Sequence, residues 1–316
     1  RADIFLIAPA TANVIGKMAN GICDDMLTTT VFATKAPCLI SPAMNTGMWE
    51  NPILQDNLEK LRKYGYKVIL PASGRLACGD TGSGKMPSED VLMEHILTEI
   101  AKEKDLKGKK ILVSAGPTQE SIDPVRYITN HSSGKMGYAI AKMARLRGAD
   151  VTLVSGPVSI KAFAGIEVIS VKSAQDMYDA VTSQSHDKDI IIMCSAVADY
   201  TPASYSDQKM KKKDSDLSIP LSRTQDILKY LGEHKPDHQL LIGFSMETES
   251  LIANSREKLT KKNADMICAN SICGNETGFA VDTNRVTLIT HDDVKELPLC
   301  SKEDTADLIL DKAASL

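Results

Sequence analysis

The sequence predicts an α/β protein with a doubly wound, mostly parallel sheet. Three observations carry this reading. Apolar runs of strand length alternate with amphipathic helical stretches along the 316 residues. Runs such as Ile111-Leu112-Val113 and Ile190-Ile191-Ile192-Met193 are apolar without alternation, as strands covered on both faces are. Small and polar residues follow these runs, and in such sheets ligands bind beyond the carboxyl ends of the strands.

Residues 3–9, Asp3-Ile4-Phe5-Leu6-Ile7-Ala8-Pro9, read as a buried strand. With Arg1 in first place, the chain is expected to start within a domain. Helices are expected at 11–18 and 24–33, the second capped by Asp24 or Asp25. A proline-bounded strand follows at 37–42. Residues 51–64 form an amphipathic helix with Ile53, Leu54, Leu58 and Leu61 on one face. A strand at 66–70 and a helix at 87–102 close this half, with Ser88 as cap and Val91, Leu92, Ile96 and Ile100 inward. The charged, glycine-punctuated stretch 102–110 is the expected linker. It divides the chain into domains 1–104 and 105–316.

After the linker the alternation restarts. Strands are expected at 110–114, 150–155, 167–171, 189–194, 239–244 and 264–269. Helices are expected at 134–147, 174–184, 224–233, 250–262 and 302–314, the first ended by Gly148. A hairpin of 286–290 and 296–299 turns at His291-Asp292-Asp293.

Composition narrows the function class. A net charge of -4 with 25% charged residues gives no basic excess for nucleic acid. The 7 cysteines include no CxxC pair, so neither a zinc ribbon nor a redox motif is expected, and a reducing cytoplasm fits. No apolar run approaches the roughly 20 residues of a membrane-spanning helix.

Five stretches stand out. In residues 109–148 a strand breaks at Ser114-Ala115-Gly116-Pro117, a polar loop carries Arg126 and Asn130-His131-Ser132-Ser133, and a helix begins after Gly134-Lys135. A helix N-terminus behind small residues suits a phosphate, with Lys135 and Arg126 as added cations. A bare strand–helix turn is the plainer reading of any one glycine, but such a turn needs only a few residues. Neither a Walker A loop nor GxGxxG is present, which argues against a nicotinamide-dependent oxidoreductase. Ser195-Ala196-Val197-Ala198-Asp199-Tyr200 admits a flat ring close to the backbone, Asp199 suits a metal ion or a base, and Lys209-Met210-Lys211-Lys212-Lys213 follows as a solvated run or a flap over a polyphosphate. In Gly243-Phe244-Ser245-Met246-Glu247, Phe244 either packs in the core or stacks on a base; Lys258 and Lys262 share a helix face. In the N-terminal half, residues 41–49 bring Asn45 and Trp49 after a strand, and the glycine-rich stretch 76–86, mobile by composition, exposes Cys78.

Together these stretches resemble the bifunctional phosphopantothenoylcysteine decarboxylase / phosphopantothenate–cysteine ligase family (CoaBC, also Dfp). The matching blocks are residues 8–13 (APATAN), 42–49 (PAMNTGMW), 77–86 (ACGDTGSGKM), 114–137 (SAGPTQESIDPVRYITNHSSGKMG) and 196–212 (AVADY…KMKK). The resemblance implies a Rossmann-like ligase domain preceded by part of a flavodoxin-like flavoprotein domain. The family's catalytic histidine and first flavin-phosphate loop lie upstream of Asp3, so the N-terminal half is expected to be a decarboxylase domain without its beginning. A ligase with a vestigial flavin domain, or a regulatory flavoprotein subunit, are the alternatives.

The implied ligase uses CTP with Mg2+ or Mn2+ to join 4'-phosphopantothenate to L-cysteine through an acyl-cytidylate. By motif match Asn130 holds that intermediate, Lys209 offsets charge in cytidylyl transfer, and Arg126 contacts the acyl substrate. Ala196, Asp199, Lys209, Phe244, Lys258 and Lys262 fall at nucleotide positions, Asp199 also at the metal. The implied decarboxylase uses FMN, with Ala8, Pro9, Ala10 and Thr11 on the flavin side, Asn45 on the substrate carboxylate and Cys78 as proton donor. The family further implies a cytoplasmic homo-oligomer, with ligase domains paired and flavin domains in trimers.

Overall fold

The computed structural model of the chain describes residues 2–76, 79, 81–211, 218–247, 250–271 and 282–316, with backbone alone at Glu247 and Ser271. The chain forms two compact units, Arg1–Glu103 and Lys104–Leu316.

In the first unit, strands Phe5–Ala10, Cys38–Pro42 and Lys67–Val68 form a parallel sheet in that order. Helix Ala12–Ala19 starts at Thr11, whose hydroxyl accepts the Val14 N–H at 3.3 Å. Helix Met26–Ala33 is capped by Asp25, which accepts the Thr28 N–H at 2.8 Å. Asp24 instead pairs with Lys17. Helix Pro52–Lys63 sends Leu54, Leu58 and Leu61 into the core. Ile53 is 71% exposed, against expectation: at about 100° per residue, position 53 turns out of a stripe centred on 54, 58 and 61. Helix Glu89–Ile100 places Leu92 with Leu39 and Ile69, while Ile100 is exposed. Ser88 precedes it without a side-chain cap bond.

The glycine-rich stretch expected to be mobile holds a strand. Residues Thr81–Lys85 pair antiparallel with Ala72–Arg75. The glycines permit close packing. A Cβ on Gly84 would lie 2.2 Å from the Met44 carbonyl oxygen and one on Gly82 2.5 Å from Thr46 Oγ1. The Met44 N–H donates to the Gly84 carbonyl at 3.0 Å. Backbone contact with a neighbouring turn orders a segment whose side chains supply little.

In the second unit eight strands lie in the order Glu167–Ser170, Asp150–Ser155, Lys110–Ala115, Ile190–Met193, Leu240–Glu247, Met266–Ser271, Val286–Thr290, Val294–Glu296. The first six are parallel, and Val286–Thr290 pairs antiparallel with both of its neighbours. Helices Lys135–Leu146, Ala174–Gln184, Ile227–His234, Leu251–Lys261 and Lys302–Ala314 accompany them. The chain builds outward on one side of strand Lys110–Ala115 and then on the other. The order therefore reverses between Lys110–Ala115 and Ile190–Met193, where such sheets bind ligands.

Three expectations shift. The stretch expected as a linker belongs partly to this unit: Leu106 is 2% exposed and its N–H donates to the Arg147 carbonyl at 3.1 Å. Buried Arg147 also bonds Asp105 at 3.0 Å and Asp311 at 2.8 Å, so the charges in that stretch serve packing. The helix expected from residue 224 starts after Asp226, which accepts the Lys229 N–H at 3.0 Å. Two short antiparallel ribbons, Gln119–Ser121 with Tyr127–Thr129 and Tyr200–Pro202 with Leu221–Arg223, stand in stretches read as loops. Strands of three residues are too short to show alternation.

Candidate functional site

The site is built where the strand order reverses. Ser114 is fully buried, and its hydroxyl accepts the N–H groups of Cys194 and Ser195, each at 3.1 Å, and lies 2.8 Å from Ser195 Oγ. Two residues on, the Gly116 carbonyl accepts the Ala196 N–H at 2.9 Å, and the Thr118 N–H donates to the Ala196 carbonyl at 3.3 Å. The Thr118 hydroxyl accepts the Ala198 N–H at 3.0 Å. Asn130 reaches over from the end of the long loop and donates from Nδ2 to the same Ala196 carbonyl at 3.0 Å. Thr224 fixes the far side, donating its N–H to the Asp199 carbonyl at 3.0 Å and its hydroxyl to the Ala198 carbonyl at 2.7 Å. Two loops that connect different elements are thus held as one surface.

A cavity of about 520 Å³ opens beside this surface, with Asp199, Arg223, Gln225, Phe244, Lys258 and Lys262 on its walls. Lys258 donates to the Phe244 carbonyl at 2.8 Å. Lys262 is ion-paired with Asp226. Burial works against the charge on Asp226, but the Lys262 ammonium and the Lys229 N–H outweigh it and hold the carboxyl below the usual range. An aromatic face, two lysines and a carboxylate together suit a base and a charged chain.

A second cavity of about 160 Å³ shares Ser195 and Phe244 with the first. Its wall includes Gly134, Lys135, Ala196, Asn270, Asn284 and Lys302. Gly134 has φ +77° and heads helix Lys135–Leu146, a backbone value glycine adopts without strain. Gly137 lets that helix approach the strand tip, since a Cβ there would lie 2.6 Å from Ala115 Cβ. The first N–H groups of the helix therefore sit at the reversal point.

Of the residues singled out in the sequence, Asp199, Phe244, Lys258 and Lys262 come together in the larger cavity, and Ala196 lines the smaller one with Phe244. Asn130, Arg126 and Lys209 line neither of these two cavities. Arg126 instead meets Met210, the residue after Lys209, at a node. Asp123, whose side chain is 0% exposed, accepts Arg126 Nε at 2.9 Å and the Met210 N–H at 3.1 Å. Arg126 Nη2 donates to the Met210 carbonyl at 2.9 Å. The Arg126 guanidinium, aided by backbone N–H groups of Val125 and Met210, holds the Asp123 carboxyl far below the usual range. Arg126 is thereby fixed beside the lysine run, and exposed Lys209 leaves the node next to Met210.

In the first unit, Asn45 caps helix Thr46–Trp49 by accepting the Gly47 N–H at 2.8 Å. Ala8, Pro9 and Ala10 form the tip of the first strand, with a cis Ala8–Pro9 bond, and Thr11 caps the following helix. The buried hydroxyls Ser41 Oγ and Thr46 Oγ1, on either side of Asn45 in the chain, have no hydrogen-bond partner among the described residues. Small residues and orphan hydroxyls at strand ends fit a flat polar ring. Cys78 lies outside the described residues. Among the described residues no group of three or more His, Cys, Asp or Glu side chains could hold a metal by itself. A lone carboxylate such as Asp199 fits an ion that arrives with a phosphate chain.

Sequence reasoning missed Thr118, Asp123, Arg223, Asp226, Asn270 and Lys302 as site residues. Asp226 carried a signal, as an acid ahead of an apolar helical run. Lys302 carried none, because it reaches the cavity only through the docking of a distant C-terminal helix.

Both units of the chain are similar to known proteins. Residues 106–316 match the family described as DNA/pantothenate metabolism flavoprotein C-terminal domain, and residues 1–101 match the Flavoprotein family. The coenzyme A biosynthesis bifunctional protein CoaBC of Bacillus subtilis (strain 168) is 48% identical over 319 residues, covering 100% of this chain and 78% of that protein. The crystal structure of the C-terminal domain of a CoaBC protein superposes with a TM-score of 0.59 at 45% identity, over 67% of this chain and 97% of that one. The DNA/pantothenate metabolism flavoprotein of Streptococcus pneumoniae gives a TM-score of 0.58 at 26% identity, over 66% and 99%.

Proposed function

The chain belongs to the CoaBC family of bifunctional coenzyme A biosynthesis proteins, and we propose that its second unit joins 4'-phosphopantothenate to L-cysteine at the expense of CTP. The single observation that carries this is the pair of adjoining cavities at the strand-order reversal, one with an aromatic face and lysines, the other at a helix N-terminus. Cytosine and ribose take the larger cavity against Phe244 and Asp199. Lys258 and Lys262 meet the phosphate chain, which runs past Ser195 toward Gly134. Asp199 would hold the Mg2+ or Mn2+ that neutralises charge on the triphosphate.

The chemistry follows from the acid. A carboxylate resists attack by an amine at neutral pH. The phosphopantothenate carboxylate first attacks the α-phosphorus of CTP, forming the acyl-cytidylate and releasing pyrophosphate. The amine of cysteine then attacks the activated carbonyl, forming the amide and releasing CMP. Lys209, set beside the Asp123–Arg126 node, neutralises charge as the α-phosphorus is attacked. Asn130, already hydrogen-bonded to the Ala196 carbonyl, holds the acyl end for the second step. Arg126 orients the acyl substrate from the rim.

The first unit contributes the decarboxylase half of the pair. FMN, when bound, would take two electrons from the thiol-bearing carbon, so that the carboxylate can leave as CO2, and would return them to the enethiolate that this leaves, ending as it began. Ala8, Pro9, Ala10 and Thr11 would line the flavin, Asn45 would hold the leaving carboxylate, and Cys78 would supply the final proton. Among the described residues no helix is long and apolar enough to cross a membrane, which accords with work in the cytoplasm. A dimer of ligase units and a trimer of flavin units complete the proposal.

The test is pyrophosphate release. CTP with 4'-phosphopantothenate is expected to yield pyrophosphate, and addition of L-cysteine to yield the amide. Release that does not depend on 4'-phosphopantothenate contradicts the reading.

A further inference from the structure

Lys302 opens the last helix and is 7% exposed. Its side chain lines the smaller cavity and donates to the Thr283 carbonyl at 3.3 Å. Burial, and then repulsion from Lys135, weaken its hold on its proton. Lys135 shares the cavity and pairs at 2.6 Å with Asp282, whose side chain is 89% exposed and free to be displaced into water. Burying one lysine close to a second is costly unless an anion joins them; the exposed Asp282 carboxylate does so in part for Lys302, and a phosphate chain brings more negative charge.

The rest of the wall points the same way. Helix Lys135–Leu146 is 12 residues long, and its first turn is headed by Gly134, which offers its N–H groups no side-chain acceptor. The cavity of about 160 Å³ is much smaller than the one of about 520 Å³, and the two meet at Ser195 and Phe244. A triphosphate whose base sits in the larger cavity has its far end here.

We infer that Lys302, with the first turn of helix Lys135–Leu146, grips the two terminal phosphates of the nucleotide and retains pyrophosphate after cytidylyl transfer. This rests on the ligase reading given above. It assigns to the C-terminal helix a binding role as well as a packing one.

The experiment compares wild-type protein with Lys302→Met, titrated with CTP, CMP and inorganic pyrophosphate. The affinities for CTP and pyrophosphate are expected to fall by about 10- to 100-fold, the scale of a lost hydrogen bond to a charged group. CMP, which lacks the terminal phosphates, is expected to bind as before. Lys302→Arg is expected to keep most of the pyrophosphate affinity. Unchanged pyrophosphate binding overturns the inference, as does equal weakening of CMP. A loss confined to 4'-phosphopantothenate also overturns it, because the cavity then serves the other phosphate. A wild-type crystal soaked with pyrophosphate gives the same decision without a variant: an oxygen within hydrogen-bond reach of Lys302 Nζ upholds it, and pyrophosphate elsewhere refutes it. Wild-type protein that releases no pyrophosphate from CTP contradicts the ligase reading itself, which separates the two failures.

Discussion

Lys262 is ion-paired with Asp226, the residue that caps the preceding helix, Ile227–His234, on the wall of the same cavity. The lysine is therefore aimed before any nucleotide arrives, and a phosphate has to share it with a carboxylate. Lys262→Met removes one charge-assisted contact and is expected to raise the KM for CTP about tenfold, with kcat little changed. Steady-state kinetics with varied CTP check this. A fall in kcat at unchanged KM contradicts a binding role.

Asn130 and the Ala196 carbonyl are 3.0 Å apart. Asn130→Asp replaces the donor with an anion facing a carbonyl oxygen. Acyl-cytidylate formation is expected to survive and amide formation to slow by about 10- to 100-fold, so the intermediate accumulates. Rapid quench with labelled CTP measures both steps. Normal amide turnover removes the assigned role.

Lys209 stands next to Met210 at the Asp123–Arg126 node. Lys209→Gln is expected to slow the pyrophosphate burst by about 100- to 1000-fold, as loss of a group that stabilises a charged transition state does. An unchanged burst shows that the lysine is not used.

The carboxyl of Asp123 is held low by Arg126 and by backbone N–H groups. Its contribution to stability is full above the ordinary aspartate pKa of about 4 and declines as pH falls through the folded value. Asp123→Asn is therefore expected to lower the melting temperature at pH 7, with the difference from wild type shrinking from pH 4 toward pH 2. A difference that is constant across that range contradicts the electrostatic account.

Burial pushes the Cys38 thiol up to about 11 and the Cys194 thiol to about 12, whereas Cys23 is exposed. At pH 8 iodoacetamide is expected to label Cys23 at least about 100-fold faster than either, since only the thiolate reacts. Peptide mapping over time checks the order, and early labelling of Cys194 contradicts the packing described.

The sheet was legible because its signal is local. The run Ile190-Ile191-Ile192-Met193 states its own burial, and Asp25 announces the helix that begins beside it. Phe244, Lys258 and Lys262 were legible as site residues because they lie in one strand and the helix that follows it. What stayed hidden depends on contacts between distant segments. Lys302 joins Gly134 only once the last helix docks, and Asp123 meets Met210 across a gap of 87 residues. Ile53 was misread because two adjacent apolar residues cannot both face a core stripe that narrow. The ribbon of residues 81–85 was misread because glycine composition says nothing about a neighbouring turn that needs the space.

The central claim is that a nucleoside triphosphate lies across the two joined cavities. A crystal structure of the protein with CTP bound tests it most directly. The account predicts the base against Phe244 and Asp199, the phosphates beside Lys258 and Lys262, and the chain ending at the Gly134 turn. A nucleotide bound away from both cavities would contradict it.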